Sequence, residues 1–134
     1  MTSNVIYKGE LRTEATHQSS QAVIITDAPR DNHGKGNAFS PTDLVATALG
    51  SCMLTIMGIK ARELEIDIEG AEISIYKRMD SEPRRIVKIL VAITMPKKKY
   101  TIKDIRILEK AAIHCPVAKS LSPDIEQQVS FAWT

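Results

Sequence analysis

The sequence predicts a mixed fold of strands and helices built around one long apolar helix. A complete helix start, Ser40-Pro41-Thr42-Asp43, opens onto a run from Leu44 to Ile59 that holds no charged residue. On both sides of that run, apolar residues recur at the two-residue period of half-buried strands.

Bulk properties narrow the class. The chain has 134 residues, 43% hydrophobic and 25% charged, and reads as a single domain over 1–134. Its 18 basic and 16 acidic side chains leave a formal charge of +2. That balance argues against nucleic acid or an anionic membrane as partner. The one basic run, Lys97-Lys98-Lys99, follows Pro96 and reads as a solvated turn. Met1-Thr2-Ser3-Asn4 does not begin a signal peptide, so the cytoplasm is the expected compartment.

The elements follow in order. Val5, Tyr7 and Leu11 share an alternation that reads as a first strand over 4–11, and Ala22–Thr26 is a β-branched second strand. Residues 27–37 are dense in turn formers and read as a loop. At the helix start, Ser40 suits the N-cap, Pro41 the first helical position, and Asp43 can reach back as in a capping box. The uncharged run behind it is shorter than the roughly 18–20 residues that cross a bilayer, so it reads as a core helix. Leu44, Ala48, Cys52, Ile56 and Ile59 share one face, and Val45, Leu49, Met53 and Met57 carry the apolar surface further round. Such a helix needs cover on nearly all sides. A chain of this size has too little sheet to supply it, which predicts a dimer that sandwiches the helix.

Residues 72–79 and 85–95 form an expected antiparallel hairpin, with Ile89, Val91, Ile93 and Met95 pointing one way. Apolar spacing predicts a helix over 102–113. Cys115-Pro116 begins a short helix to about Leu121, with Cys115 as its N-cap. Ser122-Pro123-Asp124 turns the chain into a closing strand marked by Val129, Phe131 and Trp133.

Chemistry centres on two cysteines. Cys52 lies in the third turn of the apolar helix, where an apolar wall alone would raise its pKa, so reactivity there needs a cation or donors from elsewhere. Cys115 at a helix N-terminus has a setting that favours a thiolate. Either residue also fits a structural role as a small buried side chain. Two cysteines in an intracellular chain of this length are not a disulfide framework, so a bond between them would be transient. The histidines, His17, His33 and His114, show no metal-ligand spacing, and no GxGxxG motif occurs. Arg12, Arg30 and Arg62 each fit a solvated surface better than a catalytic place, though an arginine over a thiolate would supply the missing cation.

Phe39-Ser40-Pro41-Thr42-Asp43-Leu44-Val45-Ala46-Thr47-Ala48-Leu49-Gly50-Ser51-Cys52 resembles the first-cysteine signature of the OsmC/Ohr family. His114-Cys115-Pro116-Val117, followed by a short helix and a last strand, resembles the family's second-cysteine region. The resemblance spans essentially the whole chain. It implies an α+β fold: an intertwined homodimer with a long buried central helix packed with antiparallel β-sheet. It also implies thiol peroxidase activity on organic hydroperoxides or hydrogen peroxide. Cys52 would then attack, Cys115 would resolve, and a dithiol such as a lipoyl protein would restore both, with no metal or flavin cofactor. Classic members carry a glutamate at the position of Thr42, which holds the catalytic arginine. Here the acid is Asp43, one residue on, a pattern closer to the OsmC-like branch, and Arg12 is the best-placed match for the arginine.

Two other readings stand beside the peroxidase: a dimer that binds a small hydrophobic ligand or senses redox state, and, last, a metal-binding domain. The separation of the two sulfurs discriminates the peroxidase from the ligand-binding dimer.

Overall fold

The computed structural model describes Met1–Trp133 and divides into two compact units, Met1–Val45 and the chain from Ala46 onward. The first unit is an antiparallel sheet of β1 (Ser3–Gly9), β2 (Arg12–His17) and β3 (Val23–Asp27), in that order. The sequence reading carried a strand through Leu11. The structure instead breaks it at Gly9-Glu10-Leu11, all three at positive φ, and returns the chain as β2. The β2 segment lacks apolar alternation. It is held by ladders on both edges rather than by a greasy face of its own.

After β3 the loop folds back on itself. Gly34 packs so closely that a Cβ there would lie 1.7 Å from the Ala28 carbonyl oxygen. The loop ends in the capping box expected from sequence. Ser40 Oγ accepts from the Asp43 N–H, and Asp43 Oδ2 accepts from the Ser40 N–H, each at 3.0 Å. These bonds satisfy two backbone donors at the start of α1 (Pro41–Glu63).

The second unit holds most of α1 and a sheet in the order β4 (Glu72–Asp80), β5 (Arg85–Thr94), β6 (Glu126–Ala132). The expected hairpin is present, with Ile75 opposite Val91. The closing strand pairs parallel to β5, not antiparallel. The long return through α2 (Ile102–Ile113) and α3 (Pro116–Ser120) makes that possible, because parallel neighbours need a crossover.

Helix α1 is long and apolar enough by length and composition to cross a membrane. Its inward row Leu49, Met53 and Met57 instead lies in one core with Ile89, Val91, Ile93, Leu108 and Ala112. Burying each large side chain of this kind is worth about 1.5–3 kcal/mol. At Gly50 the helix approaches β4 so tightly that a Cβ would lie 2.7 Å from Ile75 Cδ1. Among the described residues, several on the other side of the helix are exposed. Val45, Ala48 and Ile59 are exposed, Ile59 at 53%. Apolar residues of the first sheet are exposed as well, Val5, Tyr7, Val23 and Ile25 among them.

Candidate functional site

The site begins with two backbone placements inside the second unit. Cys52 sits one position before the buried Met53 on α1, which leaves it half buried at the edge of the core. Cys115 is the N-cap of α3, with Pro116 in the first helical position. Its Sγ accepts from the Ala118 N–H at 3.5 Å, and its own N–H donates to the Ala112 carbonyl at 3.3 Å. Gln127 on β6 ties α3 down by donating to the Ala118 carbonyl at 3.1 Å. Leu108 and Ala112 of α2 are buried in the same core as Cys115.

The fold thus brings together two cysteines far apart in the chain. Cys52 lies near enough to Cys115 to help raise its thiol pKa. No bond joins the sulfurs, and both thiols are free. The sequence reading expected the α3 N-terminus to favour a Cys115 thiolate. Burial outweighs it: Cys115 is 0% exposed, and loss of solvent pushes its thiol pKa up. The Ala118 and Val117 N–H groups pull the other way, while Cys52 raises it further. The adjacent His114 does not share in this; its Nδ1 donates back to the Lys110 carbonyl at 2.8 Å.

Arg12 and Asp43 belong to the other unit, where each has a defined local partner. Arg12 lies directly across the ladder from Asp27. Its Nε donates to Asp27 Oδ1 at 2.8 Å and its Nη2 to Oδ2 at 2.9 Å. Asp27 is nearly sealed, at 1% side-chain exposure, against 34% for Arg12. The bidentate guanidinium holds the Asp27 carboxyl below its ordinary pKa, helped by the Asn37 N–H at 3.1 Å from Oδ2. Asp43 serves the helix cap described above. Asp27 went unnoticed in the sequence because it closes a β-branched run and opens a polar loop. A lone carboxylate in that place was the available signal.

An open cleft of about 460 Å³ runs between α1 and β4, lined by Thr47, Gly50, Ser51, Leu54, Ile73 and Ile75. Among the described residues, no three His, Cys, Asp or Glu side chains gather as a metal site would require.

Residues 34–130 match the family model for OsmC-like protein. The chain belongs to the OsmC family. No curated protein matches it by sequence. A Psychrobacter arcticus crystal structure, described as a proposed osmotic stress induced and detoxification response protein, is 53% identical, with 98% of this chain and 95% of that one covered and a TM-score of 0.94. An organic hydroperoxide resistance protein OsmC from Legionella pneumophila shares the fold at 15% identity, covering 98% of this chain and 97% of that one at TM-score 0.76. One from Elizabethkingia anophelis, solved with thiocyanate bound, does so at 14% identity, covering 100% and 97% at TM-score 0.76. The α+β architecture read from the OsmC resemblance is therefore the architecture found.

Proposed function

We propose that this OsmC-family protein is a thiol peroxidase that reduces organic hydroperoxides or hydrogen peroxide through Cys52 and Cys115. The observation that carries the reading is the facing pair of free thiols, one half buried and one sealed. The Psychrobacter relative's assignment to a detoxification response is consistent with it.

Access and protonation divide the roles. Cys52 is the less buried of the two cysteines. Cys115, held protonated by burial, does not compete as the first nucleophile, and its S–H can donate to a Cys52 thiolate. The Cys52 thiolate attacks the terminal peroxide oxygen and the O–O bond breaks. The leaving alkoxide or hydroxide takes a proton and departs as alcohol or water, leaving Cys52 as sulfenic acid. Cys115 then attacks the Cys52 sulfur, its proton leaves with the hydroxyl as water, and a disulfide forms. An external dithiol, a lipoyl group being one candidate, returns two electrons and two protons by thiol–disulfide exchange. Arg12 is the cation we assign to the peroxide-bound state, since a guanidinium stays charged at any working pH.

The exposed side of α1 and the exposed residues of the first sheet support a homodimer as the working form. The cytoplasm, where thiols are kept reduced, suits the cycle. A second reading, binding of a small apolar molecule without turnover, draws on the cleft beside Gly50 and Leu54. Steady-state peroxide consumption with dithiothreitol or dihydrolipoamide separates the two. The peroxidase reading expects Cys52→Ser to abolish turnover; full activity in that variant would refute it.

A further inference from the structure

Residues 97–119 carry seven Lys and Arg side chains against two carboxylates, although the whole chain is only +2. Part of that excess lies in one row on one helix. We propose that Lys103, Arg106 and Lys110 form the docking surface for an acidic protein that carries the dithiol reductant. This rests on the peroxidase reading above and adds to it where the reductant makes contact and what its surface must be.

The row follows from helix geometry. Lys103, Arg106 and Lys110 are three and then four positions apart on α2, so they stand on one face over about 10 Å. All three are exposed. Among the described residues, no carboxylate pairs with any of them. The two acids of α2 are held elsewhere. Glu109 accepts from Trp133 Nε1 at 2.9 Å, and Asp104 sits half buried in the first turn, where the helix dipole favours a carboxylate. The row is therefore a local positive field with no anion of its own.

Its position ties it to the thiols. The opposite face of α2 sends Leu108 and Ala112 into the core that holds Cys115. The Cys115 N–H donates to the Ala112 carbonyl, so the row ends little more than one turn ahead of that cysteine. A disulfide between a sealed and a half-buried cysteine admits a slender arm, not a broad protein face, and the body that carries the arm has to rest on surface close by. Ile102 and Ile113 are exposed at the two ends of the row, at 70% and 47%, and give such a body apolar contacts beside the charged ones. A membrane fits less well. Three cations contribute about 1 kcal/mol each at an anionic leaflet, and the apolar face of α2 that would insert is already in the core. Nucleic-acid binding draws on more phosphate contacts, about 6–10. In the reduction step a thiolate of the arm attacks the Cys52 sulfur, and Cys115 leaves and takes up a proton. The arm's second thiol then displaces Cys52, so the arm ends as a disulfide and both cysteines as thiols.

The probes are two dihydrolipoyl-lysine peptides, one flanked by glutamates and one by lysines, with free dihydrolipoamide as the uncharged donor. Oxidised protein is made with one equivalent of hydrogen peroxide, and its return to thiols is followed by quenched alkylation and mass spectrometry. Wild type is compared with Lys103→Gln/Arg106→Gln/Lys110→Gln and with Lys8→Gln/Arg78→Gln, which removes exposed cations elsewhere. At low salt the glutamate peptide should reduce wild type about 10-fold faster than the lysine peptide, and the gap should close by about 0.5 M NaCl. The triple variant should lose that advantage, the Lys8/Arg78 variant should keep it, and all three proteins should react alike with dihydrolipoamide. Equal rates of wild type and triple variant with the glutamate peptide would overturn the proposal and leave the peroxidase cycle standing. A matching loss in the Lys8/Arg78 variant would overturn it as a general charge effect. If peroxide yields no Cys52–Cys115 disulfide, cycle and proposal fall together. Should the triple variant not fold, Arg106→Gln and the wild-type salt series decide: a smaller, salt-sensitive advantage supports the proposal, and a salt-independent one overturns it. Wild-type binding to phosphatidylserine vesicles or duplex DNA at about 0.15 M NaCl, lost in the triple variant and without any preference for the glutamate peptide, would give the row to another anion and overturn the proposal.

Discussion

Cys115 is closed to solvent, while Cys52, the thiol it faces, is only half buried. Composition and spacing could not reveal that inequality, on which the proposed order of reaction rests. The two settings oppose each other: an N-cap position that favours a thiolate, and a burial that disfavours it more strongly.

Alkylation tests that inequality directly. In the folded protein at neutral pH, Cys52 should react with iodoacetamide at least about 10-fold faster than Cys115, because attack requires an accessible thiolate. Peptide mapping of a time course measures both rates. Equal rates would mean that Cys115 opens to solvent as readily as Cys52.

Removing the resolving thiol should expose the intermediate. Cys115→Ser is expected to stop after one equivalent of peroxide, with a dimedone-reactive sulfenic acid on Cys52. More peroxide should carry it to the sulfinic acid. Mass spectrometry follows the added oxygens. A Cys115→Ser protein that still forms an intramolecular disulfide is excluded by composition, so persistent multiple turnover would point to resolution by an external thiol alone.

Asp27 predicts a pH dependence of stability. Its folded pKa is depressed, mainly by Arg12, so the native state binds its proton less readily than the unfolded chain does. The stabilisation is therefore complete above the unfolded value, near 3.9, and is lost as pH falls through the lower folded value. Melting temperature should drop over that acid range in the wild type. In Asp27→Asn it should be lower at pH 7 and flatter below pH 4. Cys115 has the opposite sign: its pKa is raised by burial, so its contribution is intact below the unfolded thiol value and falls away as pH rises past it.

The open side of α1 makes an oligomer prediction. Placing a charge in it, as in Ile59→Glu, should weaken self-association by at least about 10-fold, since an unpaired charge in an apolar interface costs several kcal/mol. Sedimentation equilibrium over a concentration series reads this. A wild-type protein that stays monomeric at high concentration would remove the reason given for that exposed surface.

The parts of the molecule governed by local rules were legible from the residues. The Ser40–Asp43 capping box, the 102–113 helix, the β4–β5 hairpin and the Cys115 cap all follow from neighbours a few positions apart. What escaped depends on register. β2 has no apolar period, and its turn uses Glu10 and Leu11 at positive φ, where neither residue signals a turn. Asp27 pairs with Arg12 only because the ladder sets the two opposite each other. By spacing alone Leu49, Met53 and Met57 extend an apolar face shared by Leu44, Ala48, Cys52, Ile56 and Ile59; in the structure they are the inward row of α1. The sheet packs on that row and leaves Cys52 half buried at the margin of the core.

Intact and peptide mass spectrometry after one equivalent of peroxide, with no reductant present, bears most directly on the cysteine cycle. The account predicts loss of two hydrogens, with a Cys52–Cys115 cross-linked peptide formed within a single chain and restored to thiols by dihydrolipoamide. A protein that consumes peroxide yet yields no such cross-link, or links the two cysteines only between chains, would contradict it.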